Sequence, residues 1–149
     1  MLSLSFGNKP KNITASIALP SSKSQSNRLL IINALCEQNS ELQHLSQARD
    51  TQTMIRLLKS QESVLDVLDA GTTMRFLTAY SCVKGNKVVL TGSKRMKERP
   101  IHILVTALRD LGAEIDFLEE EGYPPISIKN FEQKNQKINV FFLFLLFYL

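Results

Sequence analysis

Leu19-Pro20-Ser21-Ser22-Lys23-Ser24-Gln25-Ser26-Asn27-Arg28-Leu29-Leu30 runs from a proline, through a cluster of hydroxyls, into an apolar helical pattern. Lys23 and Arg28 fall in the first turns of that helix. A helix N-terminus leaves its first backbone N–H groups unpaired and carries partial positive charge. Two cations and several hydroxyls added there make a ready phosphate site. The same residues also describe an ordinary serine-capped helix with solvated charges. This segment alone does not decide between the two.

Working outward, the helix is expected from Ser24 to about Glu37, with an apolar face from Leu29, Ile32, Leu35 and Cys36. Upstream, residues 2–6 and 13–19 alternate apolar and polar in part and predict short strands. Downstream, Leu42 to Leu45 is a possible short strand. Asp50-Thr51 is expected to cap a second helix bearing Met54, Ile55, Leu57 and Leu58. Val64-Leu65-Asp66-Val67-Leu68 predicts a strand or extended link. Gly71 opens a third helix, with Met74, Leu77 and Tyr80 at helical spacing, stopping near Gly85. Lys87 to Thr91 predicts a strand ended by Gly92. Pro100 is expected at a first helical position, and the helix after it ends at Gly112. Ile115 and Phe117 alternate with polar residues. The turn Gly122-Tyr123-Pro124-Pro125 leads back into Ile126-Ser127-Ile128, so a hairpin is expected near residues 114–128. Alternating helices and strands predict α/β or α+β layers.

The 149 residues match the size of one domain. Apolar residues make up 44% and charged residues 21%, enough for a globular core. The net charge of +4 is modest for a nucleic-acid module. Cys36 and Cys82 lie in apolar helical contexts and are expected to be buried, reduced thiols, which implies a reducing compartment. No Cys/His cluster shows metal spacing, and His44 and His102 are isolated. The start Met1-Leu2-Ser3-Leu4-Ser5-Phe6 lacks the basic and apolar regions of a secretory signal. Val140-Phe141-Phe142-Leu143-Phe144-Leu145-Leu146-Phe147-Tyr148-Leu149 is uncharged throughout but short of the ~20 residues a bilayer span needs.

Two further helix starts share the chemistry of the first. Asp69-Ala70-Gly71-Thr72-Thr73-Met74-Arg75 offers a glycine that lets a ligand approach the backbone, followed by hydroxyls. Ser93-Lys94-Arg95-Met96-Lys97-Glu98-Arg99-Pro100 gathers four cations, which could equally be a solvated loop. Arg99, held next to a proline, suits bidentate binding of carboxylate or phosphate. Other templates fail. A P-loop would need glycine at Ser22 and at Ile17, and neither G-x-G-x-x-G nor G-x-S-x-G occurs. Glu119-Glu120-Glu121 is expected to be a solvated turn.

Taken together, the chain resembles the 5-enolpyruvylshikimate-3-phosphate synthases. The stretches that carry the resemblance are Pro20 to Arg28, Ala48-Arg49-Asp50-Thr51, Asp69 to Leu77, Leu90 to Ile101, and Glu121-Gly122-Tyr123-Pro124-Pro125, in the family's order and spacing. The resemblance covers roughly residues 2–130. It implies a fold of repeated βαβαββ-type units, of which this chain is the first part. It also implies transfer of an enolpyruvyl group from phosphoenolpyruvate to the 5-hydroxyl of shikimate 3-phosphate, without metal or organic cofactor, in a cytoplasmic, monomeric enzyme. Carried over residue by residue, Lys23, Ser24 and Arg28 would hold shikimate 3-phosphate. Lys23, Gly71, Thr72 and Arg99 would hold phosphoenolpyruvate. No catalytic acid or base is expected here, because the family carries those groups in its second domain.

Departures from the family pattern carry expectations of their own. Ser21-Ser22 replaces the commoner Gly-Ser. Asp69 stands where many members have Asn, and its charge is expected to be neutralised by Arg75. By resemblance, residues 1–19 belong with the second domain, residues 20–130 form part of the N-terminal substrate-binding domain, and residues 131–149 are a non-matching apolar tail. The expectation is therefore a truncated or frame-disrupted product with little or no turnover alone. Competing expectations are an anion-binding remnant, a nucleic-acid binder using residues 94–99, and the sister enolpyruvyl transferase acting on a nucleotide sugar. The nucleic-acid reading lacks interleaved aromatics for base stacking. The sister family shows Ala-Lys-Asn in place of Ser-Lys-Ser and a reactive cysteine on a polar loop.

Overall fold

Leu65, Leu90, Ala113, Ile115, Ile126 and Ile128 are the buried positions of four strands, and within the strands they alternate with exposed or partly buried residues. That period-two alternation marks a sheet with one covered face. A computed structural model of the chain describes residues 18–36 and 40–135, with Gly7 and Ser16. The strand expected over residues 2–6, most of that over 13–19 and the apolar run at 140–149 lie outside the described residues.

The elements are α1 (Lys23–Leu35), α2 (Arg49–Leu58), β1 (Val64–Asp66), α3 (Gly71–Lys84), β2 (Val88–Thr91), α4 (Lys94–Lys97), α5 (His102–Leu111), β3 (Ala113–Phe117) and β4 (Ile126–Phe131). The sheet order is β1-β2-β4-β3. β1 and β2 run parallel, joined through α3, with Leu65 opposite Leu90. β4 lies antiparallel to both β2 and β3. From β1 to β4 the chain thus completes one βαβαββ unit, with α4 as an added turn. Among the described residues α1 and α2 precede that unit.

The core sits between the sheet and the helices. Met74, Leu77 and Cys82 of α3 and Val105 and Leu108 of α5 meet Leu65, Leu90, Ile115, Ile126 and Ile128 in one buried cluster, joined by Met54 and Leu57 of α2. The αL residues Gly85 and Gly112 end α3 and α5, so both expected helix stops hold. The 114–128 hairpin is present as β3 and β4.

Several expectations are corrected. Leu42 to Leu45 is not a strand, and His44 has φ 54°. β1 stops at Asp66, and Leu68 turns the chain with φ 57°. α2 is capped at Ala48, whose carbonyl accepts from Thr51 and Gln52, so Asp50 and Thr51 lie inside the helix. Pro100 precedes α5 by two residues, because the Ile101 amide leaves the helical pattern to donate to Gly122 O at 2.8 Å. The basic run is partly ordered: Ser93 accepts from Met96 N and caps α4, and Met96 is buried.

The largest correction concerns α1. Leu29, Ile32 and Leu35 are 47%, 56% and 40% exposed, and Cys36 is exposed. The buried residues of α1 are Ser26 and Asn27, with Leu30 and Ile31 partly buried against the core. Leu29-Leu30-Ile31-Ile32 is apolar all round, so periodicity could not choose its face. On the packed face, Ser46 N donates to the buried Ser26 Oγ at 2.9 Å.

Candidate functional site

The helix starts flagged in the sequence are those of α1 and α3 and the basic run that opens α4, and the first turn of α2 links α1 to α3. At α1, Ser22 is the N-cap and its hydroxyl accepts from Gln25 N at 3.4 Å. Lys23, Ser24 and Arg28 are all exposed. Arg28 donates from a terminal nitrogen to Ser24 O at 3.1 Å, which draws its guanidinium back along the first turn. The Lys23 ammonium meets the Asp50 carboxylate at 3.0 Å. Both groups are partly exposed, so the pair contributes about 0–1 kcal/mol to stability. Its consequence is geometric, because it fixes where Lys23 points.

Asp50 joins α1 to α3. Its side chain holds Lys23, while its backbone carbonyl accepts from Thr73 Oγ1 at 3.2 Å. Thr73 is fully buried in the first turn of α3, beside Thr72 and Gly71. Sequence reasoning took Asp50 for a helix cap and missed this link. The available signal was its place in the Ala48 to Thr51 stretch.

At α3 two loops close on each other. Gly92 carries no side chain because a Cβ there would stand 2.6 Å from Leu68 O. Ser93 N donates to Leu68 O at 3.1 Å. The Ser93 hydroxyl also donates to the Asp69 carboxylate. Asp69 is thus engaged by Ser93. Arg75, expected to neutralise it, donates instead to Gly71 O and Pro100 O, both at 3.3 Å.

Arg99 leaves the end of this loop and folds back over the start of α3. A Cβ on Gly71 would lie 2.6 Å from one terminal nitrogen of Arg99 and 2.9 Å from its Cζ. Glycine is therefore what permits this approach. Arg99 lies against Gly71, with Thr72 next to it in α3 and Arg75 one turn further on. Burial, and secondarily the charge of Arg99, hold the Arg75 guanidinium below its ordinary pKa. Two guanidiniums at a positive helix end concentrate charge that an anion would relieve.

The cysteines and the Glu119 to Glu121 run are not among the groups around the α1 and α3 starts. Cys82 is buried, and desolvation raises its thiol to about 11. Glu119, Glu120 and Glu121 are exposed in a turn as expected, and Glu119 meets Lys97 of α4 at 2.6 Å. Among the described residues no three His, Cys, Asp or Glu side chains are grouped to hold a metal ion. No described helix is long and apolar enough to cross a membrane.

The family model of EPSP synthase (3-phosphoshikimate 1-carboxyvinyltransferase) matches residues 8–63 and 56–144. A 3-phosphoshikimate 1-carboxyvinyltransferase from Bacteroides fragilis strain YCH46 is 48% identical over 131 residues, covering 88% of this chain and 32% of that protein. One from Pasteurella multocida strain Pm70 is 38% identical over 160 residues, covering 86% of this chain and 36% of its own length. EPSP synthase from Acinetobacter baumannii superposes with a TM-score of 0.70 at 23% identity, over 82% of this chain and 33% of that structure, which shows a common fold. The chain spans about a third of the length of these relatives. With the family model matching nearly the whole sequence and the fold agreeing, the chain belongs to the EPSP synthase family.

Proposed function

We propose that this chain forms one wall of the substrate cleft of an enolpyruvyl transferase of the shikimate pathway. The reaction moves the enolpyruvyl group of phosphoenolpyruvate onto the 5-hydroxyl of shikimate 3-phosphate and releases phosphate. Lys23, Ser24 and Arg28 bind shikimate 3-phosphate. Lys23, Gly71, Thr72 and Arg99 bind phosphoenolpyruvate. The single observation that carries this reading is the Arg99 guanidinium folded over Gly71 at the first turn of α3. A ligand there meets a planar pair of donors and a helix N-terminus together.

The chemistry explains why so many cations are needed. Each substrate brings a phosphate and a carboxylate. The 5-hydroxyl oxygen gives up its proton and bonds to C2 of phosphoenolpyruvate while C3 gains a proton, giving a tetrahedral species; loss of a C3 proton and of phosphate then restores the double bond. Donors held in place before the reaction stabilise such charge without reorganising. Lys23, reaching toward both substrates, is held by Asp50, whose carbonyl anchors the α3 turn beneath phosphoenolpyruvate.

Residues 20–130 supply this binding wall. By the family resemblance, the proton-transfer groups and the opposite wall lie outside the third of the relatives' length that this chain spans. The 149-residue chain by itself therefore binds substrate but turns over weakly or not at all. The enzyme works in the cytoplasm on small anionic substrates, as a monomer when whole, and needs no metal or organic cofactor.

Phosphate release with both substrates present tests this reading alongside calorimetry with shikimate 3-phosphate. The expected result is binding without turnover. A normal rate from the chain alone would refute the division of labour. RNA binding with a steep salt dependence, in place of shikimate 3-phosphate binding, would refute the substrate assignment.

A further inference from the structure

Arg75 lies one turn into α3 and uses a different nitrogen for each of two carbonyls. One terminal nitrogen donates to Gly71 O within the helix, and the other to Pro100 O, across in the segment that carries Arg99. Its Nε is buried and has no hydrogen-bond partner among the described residues. Leaving a buried donor unsatisfied is costly, and so is placing a second guanidinium close to Arg99. The fold accepts both costs at the one point where the Arg99 loop meets the α3 start. Arg99 itself is exposed, and its loop leaves α4 through an Arg99 N–H bond to Met96 O at 3.1 Å.

We propose that Arg75 is a positioning residue for Arg99. By bridging the Gly71 and Pro100 carbonyls, it fixes the backbone from which Arg99 reaches over Gly71. The Arg99 fork and the α3 N-terminus then meet one anion in a set geometry. This inference rests on the phosphoenolpyruvate reading above and deepens it. It assigns Arg75 a geometric role distinct from its charge. A lysine at this position would keep the charge and three donors, but on one nitrogen, without the two separated terminal nitrogens that each reach one carbonyl here.

The test titrates phosphoenolpyruvate into the full 149-residue chain in the presence of shikimate 3-phosphate, followed by calorimetry. The variants are R75K, R75M, R99M and the R75M/R99M double. The inference expects R75K and R75M each to weaken phosphoenolpyruvate by roughly tenfold or more, the scale of a lost charge-assisted bond. Affinity for shikimate 3-phosphate, titrated alone, should stay within about twofold. The double variant should bind about as R99M does, because residues acting as a unit are not additive. Phosphoenolpyruvate affinity in R75K equal to that of the unmodified chain overturns the inference by showing that charge alone suffices. Fully additive effects in the double variant also overturn it. If R75M does not fold, R75K alone decides. Failure of the unmodified chain to bind phosphoenolpyruvate overturns the site reading and this inference with it. That failure is distinct from the others because it appears before any variant is made.

Discussion

Gly71 and Arg99 share a space that only glycine leaves open. A Cβ at Gly71 would meet the far end of the Arg99 side chain, which can swing away at little cost. The substitution Gly71→Ala should therefore leave the fold intact, and because Gly71 is the first residue of α3 the glycine penalty of a helix interior does not apply. It should nevertheless weaken phosphoenolpyruvate about tenfold or more, as a displaced charge-assisted contact does, with shikimate 3-phosphate unaffected. Paired melting curves and titrations check both halves. The two cysteines give a second prediction. Cys36 is exposed and Cys82 buried, so a thiol reagent at pH 8 should modify one cysteine rapidly and the other only on unfolding. The Cys82 value is raised from 9.0 to about 11. A raised value means the stabilising contribution is complete below pH 9 and is lost as pH rises toward 11. Urea melts at pH 8 and pH 10.5 should differ by on the order of 1–2 kcal/mol from this group, and by less in Cys82→Ala. Burial of Cys82 was legible from its apolar helical context. Exposure of Cys36 was not, since it depends on which side of α1 meets the core.

At the scale of elements, legibility followed how sharply each boundary is marked. β4 runs past the expected Ile128 to Phe131 and its pairing with β3 shifts register between Glu114 and Ile115, whereas the ends of α3 and α5 rest on αL glycines and could be read directly. The start of α5 could not, because the Ile101 amide bond to Gly122 O is a tertiary contact invisible to local pattern. The same holds for α2, where Ala48 caps without a side-chain bond. α1 shows the limit of periodicity most clearly. Its packed face carries Ser26 and Asn27, and its apolar Leu29, Ile32 and Leu35 are left exposed. Ile32→Ser should shift stability by no more than about 0.5 kcal/mol while reducing concentration-dependent association in light scattering. Leu77, 1% exposed in α3, should behave oppositely. Leu77→Ala should cost about 2–5 kcal/mol in urea unfolding, a large part of the stability of a domain this size.

At the scale of the molecule, one βαβαββ unit presents the α3 start, and α1 and α2 present Lys23 through Asp50. Lys23, Ser24, Arg28, Gly71, Thr72 and Arg99 are candidates that the sequence offers through hydroxyls, glycine and cations at helix starts, with their substrate roles implied by the family resemblance. Asp50 and the true partners of Arg75 could not be read, since both act through contacts between elements far apart in the chain. The central claim is that these residues make a binding wall for phosphorylated substrate, separate from the groups that complete the reaction. Calorimetric titration of shikimate 3-phosphate into the 149-residue chain tests it most directly, with Lys23→Met and Arg28→Met measured alongside. The unmodified chain should bind saturably, and either substitution should weaken binding about tenfold or more, as loss of a charged phosphate contact requires. Absence of binding by the folded chain, or affinity unchanged in both variants, would contradict it.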